Sequence, residues 1–318
     1  MFPNLGEFNL VRKILENRAE FVEQSPHFKG WLDVGDDCAI FDGWLVTKDL
    51  SVENTHFRLD WSTPEQAVEK HIVSNVSDIS AMGGVPRLAL FGLCVNRNWN
   101  AETRDRVVKA VSDGFAKRGI TLIGGDTVAG DVGMFSTTLL GESLSPTPLL
   151  RSAAQPGDDI FVTGTLGKSA AGLWILMNRP EDTGRFPELV EYHLCPKIQE
   201  DLGRQLVMAN VRGACMDISD GLSSELNHLS ISSQKRLEID ENLLPIDEKV
   251  LEMADYYGID ALDLAMNGGE EYEILFTNSV KNDIFQKRIG SVSSGSGVYM
   301  VRKNGEKVSV NAQAWSHL

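Results

Sequence analysis

At 318 residues, with 42% hydrophobic and 24% charged content, the chain has room for two domains with sizeable cores. A formal net charge of −15 argues against a nucleic-acid backbone as partner, and no run of about 18 apolar residues is present to span a membrane. Cys38, Cys94, Cys195 and Cys215 are scattered without a Cys-x-x-Cys pair, and the N-terminus shows no signal-peptide apolar core, so the expectation is free thiols in a reducing cytoplasm.

In chain order, Asn4 caps an expected helix over 4–24 with Phe8, Val11, Ile14 and Leu15 on one face. Residues 38–41 and 44–47 read as two short strands turned by Asp42-Gly43. Gly35-Asp36-Asp37 stands just before the first strand and Thr47-Lys48-Asp49 just after the second. A hairpin brings both acidic corners to one end of a sheet, although Asp36 and Asp37 are also ordinary turn residues. A helix follows over 64–82, with Ile72, Val73, Val76 and Ile79 on one face and Asn75 and Asp78, three apart, on a neighbouring one. It runs into Ala-Met-Gly-Gly and stops before Pro86. Then come a buried strand (87–96), an amphipathic helix (101–118), the strand ITLIGGDT (120–127) ending on two glycines and Asp126, and a strand over 134–143.

Three prolines within 145–158 mark the expected boundary between a domain over 1–147 and one over 148–318. The second half opens with a strand (159–164) and a helix (170–177). Gly167-Lys168-Ser169 between them resembles the end of a phosphate loop, but the required glycine falls at Val162, so this is a plain strand-to-helix turn. Two helices fit within 187–210. A short strand over 214–216 delivers Asp217, Ser219 and Asp220 into a tight turn before a helix carrying Leu222, Leu226 and Leu229. Ser219 or Asp220 capping that helix is the plain alternative, but a cap does not require Asp217. A strand (237–240), a helix (246–257) and NGGEEYEILF (267–276), again two glycines, an acid and a strand, come next. The tail over 280–303 reads as helix, Ser/Gly-rich turn and edge strand. Strands alternating with helices in both halves give an α/β (α+β) class.

The unusual acids, Asp36, Asp37, Asp49, Asp78, Asp126, Asp217, Asp220 and Glu270, gather in glycine-rich segments, where they are costly to hold together unless cations join them. No Ser-His-Asp order, metal-binding His pair, cysteine nucleophile or dinucleotide fingerprint accompanies them. Many hard oxygen ligands without His or Cys select Mg²⁺, and Mg²⁺ on carboxylates engages phosphates. The natural ligand is a nucleoside triphosphate and the reaction class phosphoryl transfer.

In chain order the blocks are Gly35-Asp36-Asp37-Cys38-Ala39, Asp49 with His56-Phe57, Asn75-Val76-Ser77-Asp78 with Ala81-Met82-Gly83, Gly124-Gly125-Asp126-Thr127, Arg151-Ser152 with Pro156-Gly157-Asp158, Asp217-Ile218-Ser219-Asp220-Gly221-Leu222, and Gly268-Gly269-Glu270. Taken together, these blocks resemble thiamine-monophosphate kinases, in a superfamily with aminoimidazole ribonucleotide synthetase and selenophosphate synthetase. The resemblance implies a two-domain synthetase-like fold whose N-terminal sheet half dimerises, with ATP in a cleft near the dimer interface. It implies several Mg²⁺ ions on Asp37, Thr47, Asp49, Asp78, Asp126, Asp217 and Asp220, the last two also catalytic. ATP would contact Gly125, Asp126, Arg151, Ser219 and Lys48; thiamine monophosphate would contact His56, Glu270 and Trp315. The implied activity is ATP-dependent phosphorylation of thiamine monophosphate to thiamine diphosphate by direct in-line transfer. Another ATP-dependent synthetase of the superfamily, or a silenced nucleotide-binding homologue, stays open at this point. Three departures stand out: Lys48 where Thr or Ser is usual, Glu271 where Asp is usual, and a C-terminal aromatic position that falls on either Trp315 or Ala312.

Overall fold

The computed structural model describes residues 35–199, 201–279 and 287–313. The helix read over 4–24, and Trp315, lie outside them. The N-terminal half is built on a five-stranded sheet of β1 (Ala39–Phe41), β2 (Trp44–Val52), β3 (Gly84–Asn96), β4 (Thr121–Gly130) and β5 (Met134–Ser143), in the order β1-β2-β5-β3-β4. Only β3 and β4 run parallel, joined by the helix α2 (Ala101–Ala116). Asp42 and Gly43 both take positive φ, 50° and 81°, the geometry of a tight hairpin between β1 and β2.

The helix α1 (Pro64–Ala81) lies against this sheet. Thr63 and Gln66 form a reciprocal capping box, and Pro64 occupies the first turn where its missing N–H costs nothing. Its Ile72, Val76 and Ile79 meet Leu45, Phe115, Phe135 and Leu139 in the core of this half. The opposite side of α1 is also covered: Ala81 joins a second cluster with Phe161, Leu202, Leu206, Cys215 and Phe276. A helix enclosed on both sides has nowhere solvated for polar residues, so Lys70, His71, Asn75, Ser77 and Ser80 are all buried and must find partners.

The C-terminal half holds β6 (Asp159–Val162), α3 (Lys168–Asn178), α4 (Pro187–Leu194), α5 (Leu202–Met208), β7 (Cys215–Asp217), α6 (Leu222–Ser233), β8 (Arg236–Asp240), α7 (Glu248–Tyr257), α8 (Ala261–Asn267), β9 (Ile274–Asn278), β10 (Lys287–Ser293), β11 (Val298–Val301) and β12 (Lys307–Ser309). Seven strands form one sheet in the order β12-β11-β8-β10-β6-β9-β7. Its core gathers Ile160, Met216, Ile218, Leu226, Leu237, Leu275 and Ile289.

Four sequence expectations are corrected. Thr47-Lys48-Asp49 lies inside β2 rather than after it, because pairing with β5 continues to Val52. Gly124-Gly125-Asp126 is in the middle of β4, not at its end. There the glycines admit a close neighbouring strand: a β-carbon on Gly125 would sit 1.8 Å from the Phe91 carbonyl oxygen. In the tail, Lys287–Ser293 is a central strand, with Ile289 and Val292 alternating into the core, and β11 is shielded from the edge by β12. The helix Ala261–Asn267 was not expected at all.

His71 gives the fold a specific acid sensitivity. Its ring lies 2.8 Å from both Ser51 Oγ and Thr137 Oγ1, and burial, reinforced by the charges of His56 and Lys48, holds its pKa down at about 3. The unfolded chain takes up a proton near the ordinary 6.5 that the folded chain refuses, so this stability is complete above 6.5 and lost as pH falls toward 3. Between pH 7 and pH 5 the wild type therefore loses about 2 kcal/mol more than His71→Gln, measured by urea unfolding of both proteins at each pH.

Candidate active site

Four segments deliver oxygen atoms to one corner. The turn before β1 brings Asp36 and Asp37, β2 brings Thr47 and Asp49, the last turns of α1 bring Ser74, Ser77 and Asp78, and the end of β7 brings Asp217. Asp37, Asp78 and Asp217 each offer a carboxylate oxygen within 4.8 Å of the other two. Thr47 Oγ1 donates to Asp78 Oδ2 at 2.5 Å, and the adjacent Ser77 donates to Asp217 Oδ2 across the other side of α1. Alternation along β2 directs Thr47 and Asp49 toward α1, while Lys48 points to the opposite sheet face and donates to Ser136 Oγ at 2.7 Å. Lys48 therefore does not displace its neighbours from the acidic corner.

Arg151 is the cation of the cluster. Its Nε and Nη2 donate to Asp37 Oδ1 at 3.2 and 2.5 Å, and its backbone N–H donates to Asp36 Oδ1 at 2.6 Å. One guanidinium does not balance five acids. Burial, then the charges of Asp49, Asp217 and Asp37, pushes the Asp78 carboxyl well above its ordinary range. Burial and the nearby Asp37 push Asp217 up to about 8, against the Ser77 hydrogen bond and Arg151. Burial also raises Asp37, opposed by Arg151, and raises Asp49, opposed by a hydrogen bond from Ser74 and by Lys48. Asp37 Oδ2 is buried with no hydrogen-bond partner among the described residues. An orphaned buried carboxylate oxygen among like charges, with only hard oxygen donors around it, fits a divalent cation of the Mg²⁺ kind.

From this corner a cleft of about 1350 Å³ opens, lined by Lys48, Asp49, His56, Asp78, Asp217, Ser219, Asp220 and Glu270. Its lining also includes the large apolar side chains of Phe57, Trp61, Leu173 and Trp174. The Ser219-Asp220 turn and the Glu270 loop are locked together: the Glu270 N–H donates to Ser219 O at 2.7 Å, the Tyr272 N–H to Ile218 O at 2.9 Å, and a β-carbon on Gly269 would lie 2.5 Å from Ser219 O. Glu270 and Tyr272 adopt left-handed φ of 61° and 53°, strain that the surrounding contacts must hold. Lys70 Nζ donates to Glu270 Oε2 at 2.7 Å, and His56 Nδ1 accepts from the Val52 N–H at 3.0 Å.

The structure thus brings together Asp37, Thr47, Asp49, Asp78, Asp217, Arg151, Ser219, Asp220, His56 and Glu270. It does not bring Gly125 and Asp126. These lie on β4, three strands from β2, about 14 Å away at the usual inter-strand spacing. Helix capping by Ser219 or Asp220 does not occur, since Gly221 holds the cap position of α6 without a side-chain bond. Glu271 acts structurally: its Oε1 accepts from the Gly167 and Ser169 N–H groups, both at 3.0 Å, at the start of α3. Sequence reasoning missed Glu225, whose buried carboxylate accepts from the Asp220 N–H at 2.8 Å, and Lys70 and His193 around Glu270. Lys70 carried no local signal, because its partner is 200 positions away.

An N-terminal sheet covered on one face, a second α/β half and acids collected between them define an AIR synthase-like protein. Residues 35–143 match the family model described as AIR synthase related protein, N-terminal domain. Over the whole length the likeness is narrower. The chain is 35% identical over 293 residues to the thiamine-monophosphate kinase of Pyrococcus horikoshii, covering 90% of this chain and 91% of that one. It is 31% identical over 324 residues to that of Aquifex aeolicus, covering 98% of each. A solved structure described as AaThiL complexed with AMPPCP and TMP superposes with a TM-score of 0.85 at 31% identity, covering 100% of this chain and 99% of that one. The hydrogenase maturation protein HypE in complex with ATP shares the fold, with a TM-score of 0.67 at 18% identity. The chain belongs to the thiamine-monophosphate kinase family.

The electrostatics of the corner set a direct test. Asp217 has a folded-state pKa, about 8, above its ordinary 3.8, so the metal-free fold favours the protonated carboxyl and loses stability as pH rises through that window. Mg²⁺ then raises the melting temperature by about 4 °C or more at pH 8 and by less at pH 6. Asp78→Asn removes one buried charge; without metal it melts no lower than wild type, and it loses most of the Mg²⁺ shift. Thermal unfolding in chelator and after Mg²⁺ addition reads both.

Proposed function

We propose that the chain transfers the γ-phosphoryl group of ATP to thiamine monophosphate, giving thiamine diphosphate and ADP, as a step of thiamine diphosphate synthesis. The observation that carries this reading is the Asp37–Asp78–Asp217 corner opening into one cleft with Ser219, Asp220 and Glu270. Family membership and the full-length likeness to a structure described with AMPPCP and TMP support it.

In this reading Asp37, Asp49, Asp78 and Asp217, with Thr47 and Asp220, hold several Mg²⁺ ions. Mg²⁺ bound there supplies charge neutralisation for the triphosphate and the acceptor phosphate. Arg151 presents a planar donor fork that Asp37 orients, and Ser219 offers a further donor to phosphate oxygens; Lys48, turned to the other sheet face toward Ser136, is not one of these donors. His56 and Glu270 face the acceptor. A phosphate oxygen of thiamine monophosphate attacks the γ-phosphorus in line, one P–O bond forms, the β–γ bridging bond breaks and ADP leaves. The attacking phosphate is already an anion, so no general base is needed. Of the described thiols, Cys38 and Cys215 stand near the corner, and burial pushes both well above the usual range, which makes them poor nucleophiles.

The remaining features fit a homodimer. Among the described residues one face of the N-terminal sheet is uncovered, with Leu50, Leu90 and Val128 exposed, and β4 lies at an edge. At the other edge, β1 pairs with β2 only at Trp44, Leu45 and Val46. A second chain whose β4 lies beside that open part of β2 supplies Gly125 and Asp126 to the ATP site, which neither chain completes alone. In this reading the domains run over 1–147 and 148–318, and the separate five- and seven-stranded sheets support that division. A cytoplasmic location accords with four free cysteines, and no helix among the described residues is long and apolar enough to cross a membrane.

ADP release is expected to require both Mg²⁺ and thiamine monophosphate, with thiamine diphosphate formed in equal amount. Asp217→Asn lowers kcat by about 1000-fold or more. Asp78→Asn and Asp126→Asn are each inactive alone, yet mixing the two after subunit exchange restores about a quarter of wild-type activity, because half the dimers then hold one intact site of two. Wild type releasing ADP without regard to thiamine monophosphate contradicts the assignment, and a mixture that stays inactive contradicts the shared site.

A further inference from the structure

Lys70 is the most deeply enclosed cation on the cleft wall. Its side chain is 8% exposed, yet the residue lines the same cleft as Phe57, Trp61 and Trp174. Burying an ammonium is costly unless the partner geometry is good. Among the described residues its single hydrogen-bond acceptor is Glu270 Oε2, at 2.7 Å. Glu270 is more open, at 28% side-chain exposure, and its Oε1 receives no hydrogen bond from the described residues. His193 Nδ1 stands 3.6 Å from the same Oε2, and burial keeps that ring neutral, with a pKa near 3. The end of the cleft is therefore a neutral pair, one cation against one anion, with spare N–H donors on Lys70 beside a spare acceptor on Glu270.

Such a pair does not attract a cation by net charge. It matches a heterocycle that presents an acceptor and a donor side by side, as a ring nitrogen next to an exocyclic amine does. Placement along α1 agrees. Lys70 and Asp78 are eight residues apart on one helix, about 12 Å along its axis and slightly over two turns, so both face the same cleft. Asp78 stands at the phosphate end and Lys70 at the ring end of the acceptor.

We infer that Lys70 is a specificity-determining residue: with Glu270 Oε1 it forms a donor–acceptor edge that reads the aminopyrimidine of the acceptor, Lys70 donating to a ring nitrogen and Glu270 accepting from the amine. This rests on the proposed thiamine monophosphate reading and adds the group that discriminates. An acceptor whose amine is replaced by oxygen inverts the pattern and meets a donor with a donor.

The test compares kcat/KM for thiamine monophosphate and for its 4-oxo analogue on wild type, Lys70→Met, Lys70→Arg and the double variant Lys70→Met/Glu270→Gln. Wild type prefers the amine by about 100-fold or more. Lys70→Met is expected to bring that preference below about tenfold through KM for the acceptor, leave KM for ATP within about twofold, and be partly rescued by Lys70→Arg. The double variant leaves no charge unpaired, so it carries the same expected collapse if the single variant fails to fold. A Lys70→Met or double variant that folds and keeps the wild-type preference overturns the role of Lys70. Wild type that turns over neither acceptor overturns the functional reading itself, and this inference with it.

Discussion

Mutual repulsion among buried carboxylates is the constraint around which this protein is arranged. Asp37, Asp78 and Asp217 come from a turn, a helix and a strand end that are far apart in sequence, and each is held by a neighbour that fixes its orientation: Arg151, Thr47 and Ser77. Burial raises all three carboxyls, so without cations the corner lowers the stability of the fold. That is the expected signature of a site tuned to bind metal and phosphate rather than one selected for stability.

The helix Pro64–Ala81 makes the arrangement possible. It is enclosed on both sides, which turns almost every polar residue on it into a buried group with a specific partner. Ser77 and Asp78, adjacent in sequence, face opposite halves and tie Asp217 of the second sheet to Thr47 of the first. One turn earlier Ser74 supports Asp49, and two turns earlier Lys70 meets Glu270. A single rigid element thus spaces the carboxylate corner from the Lys70–Glu270 pair, and the precision of the site follows from helical geometry rather than from loop conformation.

Features written in local chemistry were legible in the sequence. Asp42-Gly43 announced its hairpin, Pro64 the start of the long helix, and Asp217 through Gly221 a strand-to-helix turn bearing acids. What was not legible depends on distant partners. The second strand runs on through Asp49 because nine residues of the fifth strand are there to pair with it. Gly124 and Gly125 look like a strand end, but they allow a neighbouring backbone to approach closely. Lys70 reads as one more lysine on a helix until Glu270 is brought against it, and the strand over Lys287–Ser293 is disguised by its serines and glycine. Asp126 belongs with the acids by sequence, yet the order of the sheet keeps it away from them within one chain.

The central claim is direct transfer of a phosphoryl group between two substrates in the carboxylate cleft. The most direct measurement is rapid quench of the protein with Mg²⁺, thiamine monophosphate and ATP labelled in its γ-phosphate. Label passing into thiamine diphosphate at the rate of ADP formation, with none on the polypeptide at any time, is the predicted result. Label trapped on the protein, or ADP formed with the label released as inorganic phosphate, would contradict it.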